Sequence, residues 1–232
     1  MSRTAVIHQP DFLPHLGFFD RLLQADVLVL LDNAQYVDST SRSWTHRDKI
    51  KTPNGARWIS LSVKSAPRDT PIRDIELSQQ IDWRTNHINL LRENYRKSPY
   101  FAEIFPGLEQ LYACRYTKLS DFNRASIELL MRLFDIKIET VNASSLSPQG
   151  KSNELLVDIL KKVGADCYLS GPGARTYFRP EPFAAAGIEV LWQDFQHPVY
   201  SQLHGDFIPY LSSIDLLLNC GIEQSRKILR NK

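Results

Sequence analysis

The chain has 232 residues, 43% of them hydrophobic and 23% charged, and a formal net charge of +2. This composition predicts one domain, or one domain with an appendage, that buries a substantial core, and the charge is too small to predict nucleic acid as a partner. No apolar run approaches the roughly 20 residues that a membrane-spanning helix needs. The cysteines Cys114, Cys167 and Cys220 are widely spaced and predict neither a zinc site nor a disulfide framework, and without a signal-peptide pattern we expect a cytoplasmic protein.

The first 36 residues predict a strand, a polar loop, a helix, a second strand and a second polar loop. The two apolar runs, residues 4–7 and 27–31, are separated by one helix length, which is typical of a parallel βαβ unit. Both polar loops follow the carboxyl ends of strands. Because ligands of open α/β sheets bind at that edge, this segment predicts half of a functional site.

Further along the chain, the Asn54-Gly55 turn and the alternating residues 56–63 predict a hairpin or tight return, and residues 72–77 predict a short strand. The remaining predicted elements are helices at 84–97, 100–112 and 119–134, strands at 136–140, 167–169 and 189–193, and helices at 151–163 and 213–219, the last ending at Gly221. We therefore predict an α/β fold with a Rossmann-like parallel-sheet core formed by residues 1–80 and 135–232, and residues 81–134 as a helical insertion.

Two histidines near the first predicted strand end are the leading catalytic candidates. His8 and Gln9 follow the strand, and His15 precedes Gly17 at the predicted start of the helix. Helix amino termini attract phosphate, and a nearby imidazole can transfer a proton or stabilise charge. The arrangement resembles the start of HIGH-type nucleotidylyltransferases, although their H-x-G-H motif is absent, so that fold is one candidate for the core.

A second polar segment follows the second strand. Asp32 is the third catalytic candidate, because a carboxylate past a strand end can orient or deprotonate an amine or hydroxyl. The basic side chains beyond it suit a phosphate or carboxylate, and Trp44 can stack on a base or sugar, although a solvated basic face is the structural alternative. The predicted substrate-binding residues of this segment are Gln35, Tyr36, Trp44, His46, Arg47 and Lys51, with Arg42 and Lys49 beside them, and Gln9 joins them from the first loop.

Three later segments supply further candidates for substrate binding. Residues 150–153 resemble the end of a P-loop but lack its first glycine, and they open a predicted helix. The glycine-rich loop after the strand at 167–169 can approach a ligand closely and offers an arginine for an anion. The residues proposed from these segments are Lys151, Asn153, Ser170, Gly171, Arg175, Tyr200 and Gln202.

Taken in order along the chain, these segments resemble the WbqC-like family. The resemblance covers nearly the whole sequence and rests on Gln9-Pro10-x-Phe12-Leu13-Pro14-x-x-Gly17-Phe18-Phe19, Leu31-Asp32-x-x-Gln35-Tyr36, Arg47-x-x-Ile50-Lys51, Gly150-Lys151-Ser152-Asn153, Tyr168-Leu169-Ser170-Gly171, Tyr200-x-Gln202 and Ser213-Ile214-Asp215-Leu216-Leu217-x-Asn219-x-Gly221. His46 stands where the family usually has asparagine. The resemblance implies a bacterial biosynthetic enzyme of surface polysaccharides (O-antigen) or natural products that attaches an amino-acid or acyl group to an amine.

The leading hypothesis is therefore a transferase or amide-forming ligase that binds a phosphate- or nucleotide-containing small molecule, with ATP and Mg²⁺ as candidate cofactors. A non-catalytic ligand-binding or scaffold protein of a biosynthetic complex is the first alternative. A metal-dependent hydrolase that uses His8, Asp32 and either His46 or His197 is the second, although no local metal-binding motif supports it. We expect no nucleic-acid partner and no membrane span, and a homo-oligomer or a complex with another biosynthetic protein stays open.

Overall fold

A computed structural model describes residues 2–37 and 43–231 of the chain. In chain order the strands are β1 (Thr4–His8), β2 (Val27–Leu30), β3 (Arg47–Thr52), β4 (Gly55–Ser60), β5 (Glu139–Asn142), β6 (Cys167–Ser170) and β7 (Glu189–Trp192). The helices are α1 (Leu16–Leu22), α2 (Trp83–Tyr95), α3 (Phe101–Ala113), α4 (Leu119–Leu133), α5 (Ser152–Lys162), α6 (Pro180–Ala185) and α7 (Ile214–Leu229). Short 3-10 helices cover Ile72–Asp74, Ala143–Leu146 and Pro172–Thr176.

Five strands form one parallel sheet in the order β5-β2-β1-β6-β7, and β3 and β4 form a separate antiparallel hairpin. The centres of β1 and β2 are apolar and fully buried because helices cover both faces of the sheet. Side chains of α1–α4 and α7 pack together in the core on one face, and those of α5 and α6 pack on the other. The predicted α/β fold with a Rossmann-like parallel sheet is confirmed.

The strand order reverses between β1 and β6, since the chain adds β2 and β5 on one side of β1 and then β6 and β7 on the other. In the described part of the chain, β1 and β6 pair at Thr4–Cys167 and Ala5–Tyr168, whereas β1 and β2 remain paired as far as His8–Leu30. The carboxyl ends of β1 and β6 therefore border a gap. In open α/β sheets such a reversal point is the usual place for a ligand.

The helices of residues 81–134 share one apolar core with the sheet. Leu91 of α2 and Phe122 of α4 are fully buried in the same cluster as Phe19 of α1 and Leu216 of α7. The division into a core and a helical insertion stays a prediction. Across residues 2–37 and 43–231, no helix combines the length and the apolar composition that crossing a bilayer requires.

Several local predictions differ from the structure. Residues 72–77 form the 3-10 helix Ile72–Asp74 and isolated bridges rather than a strand, because the apolar Ile72 and Ile75, three residues apart, are both buried. β5 begins three residues later than the predicted strand at 136, and β3 and α6 were not predicted. The helix predicted at 213–219 is broken at Gly221 (φ 74°), as expected, but α7 then continues to Leu229.

Candidate functional site

The gap between β1 and β6 brings together polar side chains from three parts of the chain. His8 ends β1, and Ser170 ends β6 with its hydroxyl donating to that of Tyr168 at 3.3 Å. Arg21 reaches from α1 to Gly171, where an added β-carbon would lie 3.2 Å from the Nη1 atom of Arg21. The lack of a side chain at position 171 therefore leaves room for the guanidinium at the gap.

The guanidinium of Arg21 is buried and makes no direct ion pair among the described residues, although the carboxyl groups of Asp11 and Asp20 lie near enough to raise its pKa against the effect of burial. The residue is 6% exposed. Among the described residues, the guanidinium has no ion-pair partner within 4.0 Å and its Nε atom has no hydrogen-bond partner. Burial of an uncompensated charge is costly. A bound phosphate or carboxylate would compensate it, since both accept two parallel hydrogen bonds from arginine.

His8 is a neutral imidazole with one nitrogen available as a base. Its Nδ1 atom lies 2.9 Å from the carbonyl oxygen of Gln9, so Nδ1 carries the proton and donates it to that bond. The pKa of His8 is lowered to about 3, first by burial and then by the positive charge of Arg21. At neutral pH the Nε2 atom is therefore a hydrogen-bond acceptor, and within the described ranges no group donates to it.

Asp11 is a buried carboxyl group beside His8. Its Oδ2 atom lies 3.5 Å from Nδ1 of His8, and the residue is 7% exposed. Burial raises the pKa of Asp11 to about 7, against the opposing effect of the Arg21 charge. The pKa of this carboxyl group therefore lies above that of the neighbouring imidazole. Such a reversal separates an acid from a base and is typical of catalytic sites.

His15 forms the amino-terminal cap of α1. Its Nδ1 atom accepts a hydrogen bond from the backbone N–H of Gly17 at 3.1 Å, which leaves the proton on Nε2. Burial first, and then neighbouring positive charge, lowers the pKa of His15 to about 4. The ring lies 6.0, 6.4 and 6.1 Å from the rings of Trp44, Phe195 and Tyr210, measured between centroids. His15 therefore joins the helix start to an aromatic cluster.

The long loop between β7 and α7 packs against this cluster and is held by a buried network. Tyr95 and Tyr200 donate to the two carboxylate oxygens of Asp215 at 2.8 and 2.9 Å. The Lys51 ammonium donates to Oε1 of Gln202 at 3.0 Å and to two backbone carbonyls of the same loop. Lys51, Tyr200 and Gln202 were predicted to bind substrate, but these contacts favour a structural role in positioning the loop.

Asp32 and Gln35, predicted from the second strand end, are engaged within the chain. The two carboxylate oxygens of Asp32 accept from the backbone N–H and the hydroxyl of Ser144 at 2.8 and 2.6 Å. Asp32 therefore links the loop after β2 to the loop after β5. Gln35 donates to the carbonyl oxygen of Arg68 at 2.7 Å. Both residues lie outside the group of side chains that borders the β1–β6 gap.

Trp44 and Arg47 meet on the surface of the β3–β4 hairpin. The Trp44 ring lies 5.4 Å from the ring of Trp58, and the Arg47 guanidinium lies 4.4 Å from the Trp58 ring centroid. His46 packs edge-on against Tyr36 at 5.8 Å. Trp44 also contacts His15, so the hairpin adjoins the gap through Trp44.

The later predicted segments lie on the helices and loops after β5 and β6. Asn153 donates to the carbonyl oxygen of Tyr177 at 3.2 Å, which ties α5 to the glycine-rich loop. The Arg175 guanidinium lies 4.8 Å from the Trp192 ring centroid, and Lys151 is exposed at the start of α5. The side chains of Lys151, Asn153 and Arg175 thus lie outside the polar group formed by His8, Asp11 and Arg21.

Within residues 2–37 and 43–231, no three histidine, cysteine, aspartate or glutamate side chains converge in a group that could hold a metal ion. The described residues therefore provide no group of metal ligands for the metal-dependent hydrolase alternative. Arg42, considered with the basic segment, lies outside the described residues.

Sequence reasoning missed Arg21 and Asp11, which lie at the centre of the polar cluster. A signal was present for Arg21, because it stands three residues after Phe18 and directly before Leu22 on a short, mostly apolar helix and is buried with them. A charge in that position is either paired within the fold or used for a ligand. Asp11, in the polar loop that follows the first predicted strand, offered no comparable signal.

The sheet order and the polar reversal point place the chain among Rossmann-like α/β proteins. The model of the WbqC-like protein family matches residues 9–227, so the chain belongs to that family. The chain is also 32% identical over 226 residues to "Uncharacterized protein Rv1507c" of Mycobacterium tuberculosis, and the match covers 96% of each chain. No solved structure matches the sequence.

Proposed function

We propose that the chain is a biosynthetic transferase or ligase that binds a phosphate- or nucleotide-containing small molecule at the β1–β6 gap. One observation carries this proposal: the buried guanidinium of Arg21, which makes no direct ion pair among the described residues, lies at the reversal point of the sheet beside the neutral base His8. A structural arginine is normally paired within its own fold. Arg21 has the position and the unmet charge of an anion-binding residue.

The chemistry assigned to the site uses His8 and Asp11 as a proton-transfer pair. His8 Nε2 accepts the proton of an amine or hydroxyl as that group attacks the electrophilic carbon or phosphorus of the donor, and the leaving group departs with the bonding electron pair. Asp11, which holds a proton up to about neutral pH, supplies a proton to the leaving group. Arg21 neutralises the negative charge of the bound anion.

Anion binding also strengthens the base. The positive charge of Arg21 is one cause of the lowered pKa of His8. When an anion neutralises that charge, the pKa of His8 rises, and His8 becomes a better proton acceptor. The base is thus weak in the empty site and stronger when substrate is bound.

A ligand screen on purified protein tests this proposal. ATP with and without Mg²⁺, pyrophosphate, nucleotide sugars and amino acids are added singly and in pairs, and the thermal midpoint is measured for the unaltered protein and for Arg21→Met. We expect at least one phosphate-containing ligand to raise the midpoint of the unaltered protein and not that of Arg21→Met. The same substitution at the exposed Arg96 is the control and should keep the response.

The pattern of responses decides between the classes. A shift that requires ATP and Mg²⁺ supports a ligase and leads to a pyrophosphate- or AMP-release assay. A shift with a nucleotide sugar without ATP supports a transferase. Turnover should then be lost in His8→Asn with binding retained. Tight binding without turnover of any ligand pair supports the non-catalytic alternative, and shifts that persist in Arg21→Met contradict the proposed site.

A further inference from the structure

The aromatic cluster beside the proposed site contains a buried hydrogen-bond acceptor without a donor. Nδ1 of His197 lies 2.8 Å from the carbonyl oxygen of Pro198 and therefore carries the proton. Its other ring nitrogen, Nε2, is buried and has no partner among the described residues. Burial also lowers the pKa of His197, so the ring is neutral at physiological pH. A buried acceptor of this kind is costly unless a ligand or water donates to it.

His15 supplies the complementary group. Because Nδ1 of His15 accepts the bond from Gly17, its Nε2 carries a proton, and within residues 2–37 and 43–231 no acceptor receives it. Phe195 and Tyr210 contact both imidazoles: their ring centroids lie 6.4 and 6.1 Å from His15 and 5.7 and 5.1 Å from His197. One N–H donor and one nitrogen acceptor therefore flank the same aromatic pair.

We propose that His15 and His197 bind a hydroxyl group of the substrate, with His15 Nε2–H donating to the hydroxyl oxygen and the hydroxyl proton donated to His197 Nε2. This inference rests on the proposed function and specifies its substrate as a hydroxylated phosphate compound. A hydroxyl both accepts and donates, as the pair requires. An ammonium group has no lone pair for His15, and a phosphate has no proton for His197 at high pH.

The surroundings favour a hydroxylated ring or chain over free phosphate. Trp44 lies 6.0 Å from His15, and Tyr210 is 47% exposed, so aromatic faces border the histidine pair on the side open to solvent. Ligand sites commonly combine such apolar surfaces with a few fixed polar groups. Arg21 belongs to the helix that His15 caps, so the hydroxyl donor of the pair and the anion-binding group are held on one element, and His197 approaches them from the loop between β7 and α7.

Isothermal titration calorimetry with four probes tests the inference: inorganic phosphate, glycerol 3-phosphate, ribose 5-phosphate and glucose 6-phosphate. We expect at least one hydroxylated phosphate to bind about tenfold or more tightly than inorganic phosphate. His197→Phe keeps an aromatic ring but removes the acceptor, and it should abolish this preference without changing the Kd of inorganic phosphate. His15→Asn, which retains an oxygen to cap α1, should reduce the preference as well.

Deoxy analogues of the preferred compound keep the test independent of whether a variant folds. With the unaltered protein, removal of one particular hydroxyl should weaken binding about tenfold or more, because the buried Nε2 of His197 is left without a donor. Equal affinity for every deoxy analogue, or no preference over inorganic phosphate, would overturn the inference. If inorganic phosphate binding does not depend on Arg21, the proposed function fails instead, so the two failures are distinguishable.

Discussion

Two clusters of buried polar groups lie close together in this molecule and differ in how completely their hydrogen bonds are made. In the loop-holding network, Asp215 accepts from two tyrosine hydroxyls, and Lys51 donates to three oxygens. At the β1–β6 gap, Arg21 makes no direct ion pair in the part of the chain that the structure describes, and Asp11 has the imidazole of His8 at 3.5 Å. The first cluster is complete within the fold, and the second leaves polar groups without partners among the described residues.

The difference separates structural from functional residues better than residue type does. Lys51, Tyr200 and Gln202 resemble ligand-binding residues in the sequence, yet their polar atoms are used to place one loop. The side chains at the gap raise the free energy of the folded protein, since they are buried without compensation. Proteins retain such arrangements where function requires them, and the comparison therefore predicts opposite effects of substitution in the two clusters.

The largest effect is expected for Asp11→Asn. The folded-state pKa of about 7 lies above the ordinary aspartic acid pKa of 3.8, so the ionised carboxylate destabilises the fold at high pH. The variant should gain up to about 4 kcal/mol in unfolding free energy at pH 8. The gain should shrink as the pH falls below 7 and vanish near pH 4, where aspartic acid is protonated in both states.

Urea unfolding of Asp11→Asn and the unaltered protein at several pH values measures this effect. The His8 environment acts in the opposite direction in both proteins and cancels in the difference. A variant that is less stable than the unaltered protein at pH 8 would place Asp11 in a satisfied structural role.

In the loop-holding network, substitution is expected to lower the unfolding free energy rather than raise it. Tyr95→Phe is an example. This change removes a donor from the buried carboxylate of Asp215 and the acceptor for the backbone N–H of Lys51. The unfolding free energy should fall by about 2 kcal/mol. Chemical denaturation at pH 7 provides the value, and Tyr100→Phe, at an exposed tyrosine, is a matched control with little expected change. A neutral Tyr95→Phe would show that the network contributes little to stability.

A smaller loss of unfolding free energy is expected where the loop after β2 contacts the loop after β5. Ser144→Ala removes the hydroxyl that donates to Asp32 but keeps the backbone N–H bond. The loss should be about 1 kcal/mol, with no change in phosphate binding. Parallel measurements of denaturation and of inorganic phosphate affinity check both statements. A clear loss of phosphate affinity would return Asp32 and its loop to the functional site.

The framework of the fold could be predicted because it depends on local patterns of apolar and polar residues in the sequence. The apolar runs of β1 and β2 were identified correctly. β3 was missed because Asp48 and Lys51 are buried despite their charge. Their burial depends on partners distant in sequence, such as Gln202 for Lys51, which no local pattern reveals.

The candidate site was predicted in part for the same reason. His8 and His15 were found because they stand at a strand end and a helix start, and both positions are readable from the sequence. Arg21 was not identified, and His197 was considered only as a metal ligand, because the significance of both residues lies in hydrogen-bond partners that are missing. A missing partner is a property of the packed structure, and a sequence does not show which polar atoms remain unpaired.

The most direct test of this account is the stability of Arg21→Met, measured by urea denaturation with and without inorganic phosphate and compared with Arg96→Met. The account predicts that Arg21→Met is more stable than the unaltered protein by about 1–3 kcal/mol without phosphate and that phosphate no longer stabilises it. Arg96→Met should leave both quantities nearly unchanged. If Arg21→Met is destabilised and still responds to phosphate, Arg21 is a structural residue, and the anion-binding site is elsewhere.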